Sequence, residues 1–242
     1  EGWHDRLESN ARMFMGIEDG YMLPHAVDDR CKAMGGYWTG HIDHGCTAWV
    51  AQMMYRYYRY TMDEEFLRET AWPFMKRAMR VYEEMLEEDE HGALRLPVSV
   101  SPEYRGKSPN AWGENASFQL AAIHCLVENL LEASAVLGEK PNPVWEDIQT
   151  RLPRATLARW EPSEAAFFGP RLDAECIALW KGQLLEASHR HHSHMAALHP
   201  FDTIDPYAEE WAGIVENTFR QWVAHGTGLW SGWCIPWAAI LH

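Results

Sequence analysis

Apolar and aromatic side chains return every three or four positions through TAWVAQMMYRYYRYTM (47–62), the spacing that lines one face of an α-helix. Asp63 can cap a short helix over DEEFLRET, and Pro73 opens a further amphipathic helix at 74–88, FMKRAMRVYEEMLEE. The pattern continues through 114–137, ENASFQLAAIHCLVENLLEASAVL, which Gly138 closes. Segment 143–160 is less regular, with Pro153 splitting it in two, and 206–224 and 230–242 complete the set. Alternation of β-branched residues hardly occurs, so the expected class is all-α. Polar segments 20–46, 96–113, 163–192 and 225–229 join these helices, and connections of such length usually carry function. Without a strict internal repeat, a two-layer helical solenoid fits less well than a helical toroid, whose loops build a pocket at one end.

Composition narrows the partners. The chain has 242 residues, 47% of them hydrophobic, enough for one large domain or two small ones. Thirty-five acids against 21 bases give a formal charge of −14, and no predicted helix carries a basic stripe, so nucleic acid is not an expected partner. No apolar run is expected to approach the roughly 20 residues needed to cross a bilayer. The opening EGWHDRLESN lacks the charged and apolar regions of a signal peptide, so the chain reads as soluble, with no membrane partner. Five widely spaced cysteines, Cys31, Cys46, Cys125, Cys176 and Cys234, form no C-x-x-C pair and are expected as buried free thiols, which favours a reducing compartment. The last run, CIPWAAILH, ends without a cap, so a fragment of a longer protein is expected, truncated at both ends. Thirteen tryptophans suit sugar rings as well as cores.

Four constellations carry candidate chemistry. In LPVSVSPEYRG (96–106), Pro97 and Pro102 stiffen the stretch that presents Glu103. Beside Tyr104 and Trp112, that carboxyl can serve as a general acid or simply cap the coming turn. HRHHSH (189–194) holds four histidines in six positions. His189 and His191 could chelate zinc, but helical zinc pairs sit at i and i+4, so a wall of imidazoles and Arg190 holding sugar hydroxyls is the preferred reading, with a metal-binding helical protein as the rival. The loop DGYMLPHAVDDRCKAMGGYWTGHIDHGCTAW crowds His25, Asp28, Asp29, Trp38, His41, Asp43, His44 and Trp49, residues that can be solvated decoration or part of a carbohydrate pocket. HGTGLWSGWCIPW (225–237) adds Gly hinges and three Trp at the start of a helix.

GQLLEASHRHHSHMAALHPFDTI resembles the G-Q-x-x-E and H-R-H-x-S-H-L-x-x-L-x-P signature of glycoside hydrolase family 95, the α-L-fucosidases and some α-L-galactosidases. VSVSPEY is similar to the family's S-P-E-N loop, GTGLWSGW to its G-T-G-W-S element, and residues 47–86 to its tyrosine-rich helix and D-x-x-F-L segment. The matches run collinearly from about residue 20 to the end. The resemblance implies an (α/α)6 toroid forming a single catalytic domain over 1–242, and hydrolysis of α-L-fucosidic or α-L-galactosidic bonds in glycans with inversion. It implies Glu103 as the general acid and no cofactor, with Glu186, Arg190, His191 and His194 positioning the sugar and Trp38, Trp112 and Trp230 as stacking faces. Two departures follow. The family's base Asp aligns with His225, and its activating Asn pair has no match, so the base falls to His225 or to Asp28, Asp29 or Asp43. A ring of about twelve helices, each of ~11–12 residues, also needs more chain than the pattern supplies. An inactive carbohydrate-binding relative is the alternative reading, and the compartment stays open between the bacterial cytoplasm and export.

Overall fold

The computed structural model describes residues 3–30, 32, 34, 38–106, 108–160 and 174–242. It divides into two compact units, Glu1–Pro97 with Ala122–Pro153, and Val98–Ala121 with Arg154–His242. Predominantly helical character is what the periodicity predicts, and the structure agrees.

In the first unit, helices α1 (His4–Met15), α2 (Gly45–Thr61), α3 (Glu64–Phe66) and α4 (Trp72–Met85) precede a two-residue hairpin, β1 (Glu87–Glu88) with β2 (Leu94–Arg95). Asp63 caps α3 as its sequence position implies, accepting the Phe66 N–H at 2.9 Å. A π-helical turn at Leu67–Ala71 then leads into α4, where Pro73 occupies the first turn and has no need of an N–H partner. Eight of the fourteen α4 residues are buried, among them Met75, Met79 and Tyr82, the face the apolar spacing predicts. Tyr82 is fully enclosed and ties this helix to the start of α2. Its hydroxyl donates to the His44 carbonyl and accepts the Ala48 N–H at 3.0 Å. Helix α6 (Pro143–Arg151) adds Trp145, which meets Trp72 edge-on at 5.7 Å and donates to Glu83 at 2.9 Å.

Helix α5 (Ser117–Leu137) corrects one expectation. Its 21 residues are long and apolar enough to span a bilayer by length and composition, although two thirds of its most apolar window is buried within the protein. Phe118, Leu120, Ile123, Leu126, Val127 and Leu130 are all at most 2% exposed, so the apolar length serves a core.

The second unit holds β3 (Leu157–Trp160) paired antiparallel with β4 (Ala174–Ile177), then α7 (Glu209–Ala224) and α8 (Cys234–Leu241). Here too the sequence reading needs correcting, because the piece after Pro153 is a strand, not a helix. The Ile177 N–H reaches the Thr218 hydroxyl of α7 at 2.9 Å, docking the hairpin on that helix. The core of this unit joins Tyr104, Ala116, Leu179, Trp180, Leu185, Met195, Trp222 and Ala238. Segment 161–173, part of a predicted functional loop, lies outside the described residues, as does Cys31. The four described cysteines are free, three of them buried and Cys46 half-buried.

Candidate active site

The loop carrying Glu103 is clipped at its base. Ser99 and Gly113 exchange backbone hydrogen bonds of 2.9 Å each, and the Ser99 hydroxyl accepts the Ala116 N–H at 2.7 Å. Gly113 leaves room for the indole here, since a Cβ would lie 2.0 Å from Cδ1 of Trp180 and the ring would have to shift. Within the loop, Glu103 and Arg105 take positive φ values of 57° and 59°, a region that non-glycine residues adopt only when their surroundings enforce it. Those surroundings are visible. Tyr104, between the two, is buried against Trp180 and His189, and the Ser101 hydroxyl meets the Ser193 hydroxyl at 2.5 Å. The strained turn aims two charged side chains toward the 186–191 segment.

Glu103 forms an ion pair with Arg190, and the Nε2 of His191 lies 3.6 Å from the same carboxylate oxygen. Arg105 reaches Glu186 at 3.2 Å, while the Glu186 N–H donates to the Tyr104 hydroxyl at 3.2 Å. The Ser-Pro-Glu loop and the His-Arg-His segment are therefore fastened to each other at both flanks of Tyr104. Glu186 acts in this structure as a clasp on the Glu103 loop.

The four histidines of 189–194 have different environments. His191 is half-buried, with Trp233 tilted over it at 5.4 Å, and its N–H donates to Nδ1 of His189 at 3.0 Å. His192 is enclosed by Trp222, Trp230 and Trp237. Its Nδ1 accepts from Trp222 at 3.2 Å and its Nε2 donates to the Cys234 carbonyl at 3.0 Å, which defines a neutral tautomer. Burial lowers its pKa, as it does that of His189. His194 is 1% exposed, and neither ring nitrogen has a hydrogen-bond partner. Burial first, then the neighbouring His192, His189 and His225, push its pKa down to about 3. The open wall anticipated from HRHHSH thus reduces to Arg190 and His191, with His192 and His194 enclosed.

His225 ends α7 half-buried, its Nε2 at 3.2 Å from Nε2 of Gln221, whose amide also donates to the Leu185 carbonyl. Burial lowers its pKa, opposed by the Leu185 carbonyl and the charge of Glu186. Among the tryptophans, Trp230 stacks on Trp222 at 4.9 Å and is half-buried, and Trp112, 43% exposed, donates to the Pro109 carbonyl at 3.1 Å. Trp233, 52% exposed beside His191, belongs with the Glu103 cluster although the sequence does not set it apart from the other two Trp of its motif.

The remaining candidates lie in the first unit. Asp28 folds a turn on itself, accepting the N–H groups of Arg30 and Lys32 at 2.9 and 2.8 Å, which lowers its pKa. Asp29 projects into solvent beside Arg30, and Trp38 is 38% exposed. Asp43, 5% exposed, meets Nδ1 of His25 at 3.0 Å, and that bond raises the His25 pKa. Among the described residues, the group of three side chains able to share a metal ion is His25, Asp43 and Cys46, and no such group forms at 189–194.

The second unit thus gathers a carboxyl on a strained turn, a guanidinium paired with it, and an imidazole and an indole beside them. The sequence profile of the glycosyl hydrolase family 95 catalytic domain matches residues 1–242, and the chain belongs to that family. It is similar to an α-L-fucosidase 2 of Arabidopsis thaliana, 26% identical over 201 residues, which cover 80% of this chain and 22% of that protein. It is also 25% identical over 121 residues to a kojibiose hydrolase of Mucilaginibacter mallensis, covering 49% of this chain and 17% of that protein. The chain thus spans about a fifth of the length of these relatives.

Proposed function

We propose that this chain supplies the general acid and part of the sugar pocket of an inverting glycoside hydrolase acting on α-L-fucosidic or α-L-galactosidic bonds. In this reading its helices are one segment of an (α/α)6 toroid and the whole chain is a single catalytic domain. The observation that carries it is the convergence of Glu103 with Arg190 and His191, two motifs distant in sequence joined on one strained turn. Inversion needs one protonated carboxylic acid at the leaving oxygen and a second group activating water across the ring. Glu103 takes the first role. The Arg190 cation favours its carboxylate form, so an incoming sugar must draw Arg190 to its own oxygens before Glu103 can hold the proton it delivers. His191 then positions hydroxyls at the sugar edge, and Trp233, Trp112 and Trp230 offer apolar faces.

The second group is less well supplied. His225 has the family's base position, but Gln221 shares its Nε2, and among the described residues Glu186 acts on it only through its charge and no Asn pair joins it. Asp43 has a His25 partner, and Asp28 is bound up in its own turn. This observation favours a second reading, a relative that keeps the pocket and binds sugar without turnover.

The test is hydrolysis of natural fucosyl and L-galactosyl disaccharides, with kojibiose alongside, by the full-length gene product as wild type and as Glu103→Gln. Turnover that collapses in the variant supports the acid assignment. Sugar binding with no turnover of any glycoside supports the inactive relative, and turnover unchanged by Glu103→Gln overturns the role given to Glu103.

A further inference from the structure

We infer that His25, Asp43 and Cys46 form a binding site for one divalent transition-metal ion of borderline softness, zinc being the type. One ring nitrogen of His25, one carboxylate oxygen of Asp43 and the Cys46 sulfur all lie within 4.8 Å of one another. Zinc bonds of about 2.0–2.3 Å to N, O and S donors in a tetrahedron place the donors roughly 3.3–3.7 Å apart. A contraction of about 1 Å, within reach of side-chain rotation, would therefore seat an ion. The donor set is also selective. A thiolate with an imidazole suits zinc or cobalt far better than calcium or magnesium, which take oxygen cages.

The local fold prepares this cluster. Asp43 is buried and already holds Nδ1 of His25 at 3.0 Å. Cys46 occupies the first turn of α2, its sulfur 3.9 Å from the His25 carbonyl. Gly40 lets the His25 loop lie this close, since a Cβ there would stand only 3.1 Å from the His25 Cβ. One side of the cluster remains open, because the His25 side chain is one-third exposed, giving the ion an entry path and a fourth position for water. Binding would exchange the His25–Asp43 hydrogen bond for two metal bonds, and the Cys46 thiol would release its proton to solvent. The ion would tie His25 and Asp43 to the start of α2. This site does not depend on the sugar chemistry proposed for Glu103.

The test is titration of the metal-free chain with cobalt(II), read by absorption. One equivalent is expected to bind with a near-ultraviolet thiolate-to-cobalt band. Cys46→Ser should abolish the band, and His25→Ala and Asp43→Asn should each weaken binding at least tenfold, with unchanged far-ultraviolet circular dichroism showing that the variants fold. Any ion held by the imidazoles of 189–194 would lack the thiolate band. Cobalt bound without that band, a band that survives Cys46→Ser, or no binding at micromolar metal overturns the assignment.

Discussion

Glu103 sits at φ 57°, and a non-glycine residue held there costs of order 1–3 kcal/mol that the rest of the structure must offset. Tyr104 and the Arg105–Glu186 pair supply that restraint, and under the proposed function they are positioning residues for Glu103. Glu103→Gln is expected to slow cleavage of natural, poorly activated glycosides roughly 10²–10⁴-fold, the usual range for losing a general acid. Aryl glycosides with good leaving groups should lose much less, and comparing kcat on the two substrate types checks this. Arg105→Ala should lower kcat with little change in KM and shift the pH profile, whereas Arg105→Lys should recover part of the loss; an unchanged profile would leave the clasp a structural contact. At this scale the motif residues were legible, because Ser-Pro-Glu and His-Arg-His are local strings. Their partners were not. Nothing in a string of four histidines distinguishes His191, which faces Glu103 and Trp233, from His192, which burial and two hydrogen bonds make a core residue.

Helices α2, α4, α5 and α7 follow from apolar spacing, since an amphipathic stripe has one favourable way to be buried. Asp63→Ala should cost about 1 kcal/mol, the ordinary loss of an N-cap, seen as a lower urea midpoint with unchanged m. Gly113→Ala should cost more, about 1–3 kcal/mol, because the added methyl drives Trp180 out of contact with Tyr104, and it should also lower activity through the Glu103 loop. A double variant with Trp180→Phe would recover stability if the clash is the cause. The elements that escaped the pattern are those without a stripe. Helix α1 buries only Leu7 and Ala11 within a polar run, and β3 exists because Ala174–Ile177, distant along the chain, pairs with it. Pairing between distant segments leaves no periodic trace in either.

Across the whole molecule, His194 links stability to acidity. Its folded pKa of about 3 lies below the ordinary value of 6.5, so between those values the unfolded chain binds the proton more readily. The stability it contributes is complete above about pH 6.5 and falls by up to about 1.4 kcal/mol per pH unit as pH drops toward 3. The groups that face it among the described residues, His192, His189 and His225, reinforce the effect once protonated. His194→Leu should flatten the acid limb of a stability-versus-pH curve measured by urea unfolding; an unchanged slope would place the proton uptake elsewhere. The sequence by itself determined the predominantly helical class and the family, because helical period and short motifs are written in neighbouring residues. Only the tertiary structure decided which histidines face Glu103, that Glu186 clasps its loop, and that His25, Asp43 and Cys46 share one corner. Burial and cross-chain distance depend on how separate segments close on one another, and no local pattern encodes them.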